Sequence, residues 1–279
     1  MNKILQINHK DANEKFPDVP TSTDSLFTDI TEKTKVDFEH KETFFFDYGF
    51  QPLIPQKYSQ EGPFISIGDL NGDGAPDIAL TDAQGVKLLM HTGAVGSTTY
   101  AAPVSIFTQT ANSRVFGANI IAIADLNGDG FNDLVITDPG PGNGGAPTVS
   151  VLLQDATHPG TFLAPVSYAT APYSLATSIV VTDVNGDGFP DIIIGGTTAT
   201  SVLLQNPASR GTFNAASNYA TPDANEIAVA DVNGDGKPDI VVGTGPAQTV
   251  TNGVAPNVPG VLLQNASSPG TFGALQTLP

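Results

Sequence analysis

The chain has 279 residues, no cysteine, ordinary apolar content and a formal net charge of −17. Residues 61–279 hold 18 acidic and 4 basic residues, a surface that repels phosphate backbones and anionic lipid, so nucleic acid is excluded as a partner. Without cysteine there is no disulfide framework and no thiolate metal site, and no apolar run reaches the length of a membrane span, so no membrane insertion is expected.

Residues 1–23 are polar and aperiodic, with Pro17 and Pro20, and read as a disordered tail. The start has too short an apolar core for a secretory signal, so no signal peptide is visible in this chain. Residues 24–60 contain three strand candidates, Leu26–Ile30, Val36–Lys41 and Thr43–Tyr48, before Pro52 and Pro55 break the pattern.

From residue 61 the chain repeats. A nine-residue stretch, DxNGDGxxD, begins at Asp69, Asp125, Asp183 and Asp231, a recurrence every 48–58 residues. Two further motifs travel in phase. Val151-Leu-Leu-Gln154, Val202-Leu-Leu-Gln205 and Val261-Leu-Leu-Gln264 form one, with Lys87-Leu-Leu-Met90 as a weaker copy. Pro159-Gly-Thr-Phe162, Arg210-Gly-Thr-Phe213 and Pro269-Gly-Thr-Phe272 form the other, with Ser97-Thr-Thr-Tyr100 as a loose counterpart. A period near fifty residues, several short strands and no helical stripe predict an all-β β-propeller of four-stranded antiparallel blades. The blades span about 61–116, 117–174, 175–222 and 223–279.

In each repeat the strand before the nonapeptide alternates large and small residues. Ile65 and Ile67 flank Ser66, and Ile121 and Ile123 flank Ala122. Period two separates these onto opposite faces, as in a strand crowded near a hub and covered on both sides. The strand after it is continuously apolar, for example Ile192-Ile193-Ile194. In a meander the turns alternate ends. The nonapeptide and the Gly-Thr-Phe turn therefore share one end, and the connection between second and third strands lies at the other. The first end is uniform. At the second, Thr81–Gly85 and Gly196–Thr200 are short, whereas Asp138–Thr148 and Gly243–Pro259 are long and rich in Gly and Pro. Recognition is expected at the variable end.

The nonapeptide has the chemistry of a calcium loop. Residues one, three and five offer side-chain oxygens: Asp69, Asn71 and Asp73; Asp125, Asn127 and Asp129; Asp183, Asn185 and Asp187; Asp231, Asn233 and Asp235. Residue seven offers a carbonyl (Ala75, Phe131, Phe189, Lys237), and the aspartate at nine closes the site (Asp77, Asp133, Asp191, Asp239). All-oxygen donors in an irregular turn suit Ca²⁺ over Mg²⁺ or Zn²⁺. A metal-free turn explains the glycines but not the aspartates. Three carboxylates ~5 Å apart form three repulsive pairs, each ~0.8 kcal/mol at bulk dielectric and ~3 kcal/mol at an effective dielectric of ~20. About four Ca²⁺, one per loop, are expected, which would cancel more than half the charge of residues 61–279. An EF-hand is excluded, because its twelfth position needs a glutamate and here holds Leu80, Ile136, Ile194 and Val242.

Four DxNGDGxxD hairpins, each preceded by a strand and followed by a β-branched one, resemble FG-GAP/VCBS repeats, the blades of integrin α-subunit propellers and of bacterial surface proteins. The resemblance covers residues 61–279. It implies a propeller, an extracellular or cell-surface location, structural calcium, and binding or adhesion toward an extracellular protein or carbohydrate. Integrin-type rings have seven blades, and four motif-bearing repeats occur here. The ring would be completed by a degenerate fifth blade from residues 24–60 or by strand exchange between chain ends in an oligomer, or the chain is part of a larger ring.

Catalytic motifs are wanting. Gly140-Pro-Gly-Asn-Gly-Gly145 matches a dinucleotide fingerprint but precedes a strand, not a helix. His9, His40, His91 and His158 are scattered, with the last two in turns and expected at the surface. Arg114 is one of few cations on the variable side and is expected to be an exposed surface residue, and Tyr168, Tyr173 and Tyr219 are expected to pack between blades rather than stack on sugars. The expectation is a non-enzymatic binding module. A carbohydrate-active enzyme scaffold, such as a polysaccharide lyase, and a structural spacer in a larger surface protein are the alternatives.

Overall fold

The computed structural model describes residues 64–82, 85–94, 97–108, 120–138, 147–172, 174–222, 224–244 and 259–278. The strand candidates of residues 24–60, the fifth-blade expectation, Arg114, Tyr173 and most of both long connections lie outside the described residues.

Four four-stranded antiparallel meanders follow one another. The first contains β1 (Ile65–Gly68), β2 (Asp77–Asp82), β3 (Gly85–Leu89) and β4 (Val104–Thr108). The second contains β5 (Ile121–Ala124), β6 (Asp133–Asp138), β7 (Thr148–Leu152) and β8 (Val166–Ala169). The third contains β9 (Ala176–Thr182), β10 (Asp191–Gly196), β11 (Ala199–Leu203) and β12 (Ser217–Ala220). The fourth contains β13 (Ala224–Ala230), β14 (Asp239–Thr244), β15 (Gly260–Leu262) and β16 (Gln276–Thr277). These all-β sheets are propeller blades. No helix among the described residues is long and apolar enough to cross a membrane.

Register explains the alternation in the first strands. Ile121 faces Ile136 and Ile123 faces Leu134 across β5 and β6, so the large residues of both strands share one blade face. That face packs on the blade before it. Ile121, Leu134, Ile136 and Leu152 meet Leu70, Ala79, Val86 and Leu88. Ile192, Ile194 and Leu203 meet Leu126, Val135, Val149 and Val151. Ile227, Ile240, Val242 and Leu262 meet Val184, Ile193 and Val202. The smaller side chains of the first strands allow this approach: a Cβ on Gly68 would lie 3.1 Å from Ile123 Cγ2. The first strands touch in sequence, β1 on β5, β5 on β9 and β9 on β13, forming the hub side of the stack. Each fully buried Leu or Ile in these seams contributes about 1.5–3 kcal/mol.

Coverage of both faces, expected for every first strand, fails at the two ends of the stack. On β1 the large residues Ile65 and Ile67 are exposed, and on β13 the small Ala228 and Ala230 are exposed. No described blade lies against either face, so local sequence alone does not decide burial there.

Aromatic pairs tie the outer edges of the blades. Tyr168 meets Phe213 edge to face at 5.7 Å, and Tyr219 meets Phe272 likewise at 5.5 Å. In both pairs the phenylalanine amide donates to the tyrosine hydroxyl at 3.1 Å. These tyrosines therefore join blades rather than line a binding surface.

Candidate metal loops and their support

The four DxNGDGxxD loops adopt one conformation. In the first, Asp69 Oδ1 accepts from Gly72 N at 2.7 Å and Oδ2 from Gly74 N at 2.9 Å. Asn71 Oδ1 accepts from Asp73 N at 2.9 Å, and Asp73 Oδ1 from Ala75 N at 2.7 Å. The amides of Phe131, Phe189 and Lys237 donate in the same way to Asp129, Asp187 and Asp235. Side chains one, three and five are thus held by the loop's own amides. Both glycines are needed, because residues four and six have positive φ in every copy, 76° and 83° at Gly72 and Gly74.

The ninth aspartate does something position alone does not reveal. Asp77, Asp133, Asp191 and Asp239 are fully buried beneath their loops. Asp191 Oδ2 accepts from Val184 N at 3.0 Å, and Oδ1 from Gln205 N at 2.8 Å. Asp133 joins Leu126 and Gln154 in the same manner, Asp77 joins Leu70 and His91, and Asp239 joins Val232 and Gln264. One carboxylate therefore staples the second residue of the loop to the end of the third strand. Burial pushes the carboxyls of Asp133 and Asp191 up to about 6, against the lowering effect of these amides, and raises that of Asp77. The neighbouring loop aspartates add to the rise. The sign follows: the folded state holds these protons more tightly than the unfolded chain, so their contribution to the cation-free fold is present at acid pH and lost as pH rises through about 6.

The in-phase Gln and Gly-Thr-Phe motifs complete the staple. Gln154 Nε2 donates to Asn132 O at 2.7 Å, and its Oε1 accepts from Gly160 N at 2.8 Å. Gln205 and Gln264 repeat the bridge to Pro190 O and Gly211 N, and to Pro238 O and Gly270 N. Sequence reading finds these glutamines as repeat markers and misses their role. In the first blade the register is one residue later than Lys87-Leu-Leu-Met90 implies. His91 stands in place of glutamine: its amide donates to Asp77 at 2.7 Å, and it bridges Tyr100 as Gln154 bridges Phe162. His91 is consequently buried, with Nε2 at 2.9 Å from Ser97 Oγ, and is not the surface residue expected. His158 is exposed and pairs with Asp155, whose pKa is lowered to about 2 by Thr157 and by His158.

Each turn also presses on the loop of the preceding blade. A Cβ on Gly270, whose φ is 76°, would lie 2.6 Å from Leu204 Cδ1 and 3.1 Å from Asn185 Cβ. Gly188, with φ 86°, has nothing within 4 Å. Gly270→Ala is therefore expected to cost about 2–3 kcal/mol, and Gly188→Ala about 1 kcal/mol, in urea denaturation. Equal costs would contradict the seam. Asn132 Nδ2 donates to Asp69 O at 2.7 Å, so the first two loops are joined directly.

The donor chemistry fits a hard divalent cation. The side chains at positions one, three and five lie on a half-buried to exposed rim in the first three loops. Oδ1 of the first aspartate accepts two amides, whereas its Oδ2 and the oxygens at three and five accept one donor each and keep a lone pair. Asn71 Nδ2 donates to Asp73 Oδ2 at 3.1 Å, with the same contact in the other three loops, so an amide proton partly occupies the space between donors. Among the described residues no three acidic, histidine or cysteine side chains already converge as a metal cage. The loops thus offer oxygen donors that do not converge as a closed cage.

The FG-GAP-like repeat family matches residues 69–136, 125–194 and 183–242, together more than half of the chain. Mouse integrin alpha-IIb is 26% identical over 179 residues, covering 57% of this chain and 17% of the integrin. Chicken integrin alpha-V is 29% identical over 174 residues, covering 56% and 16%. The chain thus spans about a sixth of the length of these relatives. A solved Agrocybe aegerita lectin that recognises non-reducing terminal N-acetylglucosamine aligns at TM-score 0.30 and 17% identity, covering 78% of this chain and 66% of the lectin, too distant to bear on fold or ligand. Four in-register blades, four nonapeptide hairpins and the repeat match make this chain a β-propeller protein of the FG-GAP-like repeat family.

Proposed function

We propose that the chain is a calcium-stabilised extracellular module that binds or adheres to a protein or glycan through the loops opposite the DxNGDGxxD end. The observation carrying this reading is the contrast between the ends. At one end a single hydrogen-bonded design is used four times, with every ninth aspartate committed to the fold. At the other, β6 ends at Asp138 and β7 begins at Thr148, and β14 ends at Thr244 and β15 begins at Gly260, so the two long connections leave from the same end of the second and fourth sheets. Uniform scaffold and variable loops are the usual partition between stability and recognition. Integrin relationship supports adhesion as the class, and the absence of a catalytic motif in the sequence favours binding over turnover.

In this reading Asp69, Asn71, Asp73, Asp77 and the Ala75 carbonyl, with their counterparts in the other loops, hold the calcium. The ion supplies positive charge that relieves repulsion among the loop carboxylates. The protein's part is to hold the donors by its amides and to anchor each loop through its ninth aspartate.

The test is a variant with residues 139–146 and 245–258 replaced by short Gly-Ser linkers, compared with wild type on glycan and extracellular-protein arrays in millimolar Ca²⁺. Binding is expected to be lost with the melting temperature unchanged within about 3 °C. Ligand binding that survives the replacement would place recognition elsewhere, and an array without ligands would count against the binding role.

A further inference from the structure

The contacts between successive DxNGDGxxD loops differ at residue four of the nonapeptide. Over the first loop lies a ring: a Cβ on Gly72 would be 3.1 Å from Cε1 of Phe131, the residue at position seven of the second loop. Over the second loop lies a charge: a Cβ on Gly128 would be 2.9 Å from the guanidinium nitrogen Nη1 of Arg210. At Gly186 of the third loop no described residue lies within 4 Å of that point.

Arg210 opens the Gly-Thr-Phe turn of the third blade, where the second and fourth blades have Pro159 and Pro269. Two contacts fix it there. Its guanidinium stacks on the ring of Phe189, position seven of the third loop, 4.7 Å from the centroid. The next residue, Gly211, is pressed against the second blade: a Cβ on it would lie 2.8 Å from Leu153 Cδ1 and 3.2 Å from Asn127 Cβ. The turn is thus seated on residue three of the second loop and the guanidinium on residue four. Gly128 is also the residue whose amide donates to Asp125 Oδ1 at 2.7 Å, so the first donor carboxylate and the guanidinium meet at one residue.

We propose that Arg210 sets the calcium affinity of the second loop, as a resident positive charge that opposes the ion. The proposal rests on the calcium reading of the loops. A guanidinium stays ionised at every working pH. In the empty loop it offsets part of the repulsion between Asp125, Asp129 and Asp133, and in the filled loop it repels a divalent cation. Both effects act against binding. The second loop therefore fills at a higher calcium concentration than it would without Arg210, and the sister turns, with proline at this position, impose no such charge on the loops before them.

Each loop carries its own reporter, because the amides of Gly74, Gly130, Gly188 and Gly236 all donate to the first aspartate of their loop. NMR of the isotope-labelled full chain, titrated with Ca²⁺ at about 10 mM ionic strength, gives a midpoint for each glycine. Arg210→Gln removes the charge, and Arg210→Pro copies the sister turns. Both variants are expected to lower the Gly130 midpoint by about threefold to tenfold and to leave the other three where they were. In about 0.5 M KCl the difference from wild type should shrink, since Arg210 is exposed and its field is screened. A Gly130 midpoint unchanged in either variant, or an equal shift at all four glycines, overturns the proposal and leaves the calcium reading standing. Four glycine amides that ignore calcium in wild type and variants alike overturn both.

Discussion

Replacing Asp191 by alanine is expected to lower stability by about 3–5 kcal/mol, and to do so whether or not calcium is present. The carboxylate is fully buried and each oxygen receives a backbone amide, from Val184 and Gln205. Each buried amide left without an acceptor costs about 1–3 kcal/mol. The loss also frees the end of β11 from the loop between β9 and β10, beside the seam that Val184 seals against the fourth blade. Asp191→Asn retains one acceptor and should lose roughly half as much. Asp187→Ala is the comparison. Asp187 is exposed, and its loop amide can turn to water, so its loss should matter in calcium and hardly at all in EDTA. Urea midpoints for the three variants in both buffers separate the two kinds of aspartate. A loss at Asp191 confined to calcium would show that the residue acts as a ligand alone, without the staple.

The second large effect is that of the cation itself. Transfer from EDTA to millimolar Ca²⁺ should raise stability by about 2.7 kcal/mol for each site at a free concentration one hundred times its dissociation constant. Several occupied sites together would shift the melting temperature by tens of degrees in a chain of this size. Mg²⁺ at the same concentration should give little, since it demands a compact octahedral set that these loops do not provide. The difference should widen between pH 5 and pH 7.5. Over that interval Asp133 and Asp191, with pKa values near 6, lose the protons that favour the cation-free fold, whereas a bound cation favours their ionised forms. Coincident melts in EDTA and Ca²⁺ would remove calcium from the account.

Much of this architecture is legible in the chain because four copies make each motif its own control. Period-two alternation in Ile121–Ala124 and the unbroken Ile192–Ile194 run identify strands and their faces without further help. The buried role of the ninth aspartate is not legible. A carboxylate that binds an ion and one that binds two amides look the same in a motif, and only the path of β11 brings Gln205 N to Asp191. The signal was nevertheless present in the Gln and Gly-Thr-Phe motifs, which keep phase with the loop because they are hydrogen-bonded to it. The first blade hides this, since His91 replaces glutamine and shifts the apparent register by one residue. Exposure at Ile67 and Val232 is likewise beyond sequence pattern. Both sit in repeats of the same kind as their buried counterparts, and among the described residues only the packing of a neighbouring blade on those counterparts distinguishes them.

The central claim is that the four loops hold calcium, and counting bound ions tests it most directly. The chain, stripped with EDTA and dialysed to equilibrium against micromolar to millimolar Ca²⁺, should bind close to four ions. Asp125→Ala, which removes the first donor of one loop, should lower that number by one. Binding of no ion across this range, or the same number for wild type and Asp125→Ala, would contradict the account.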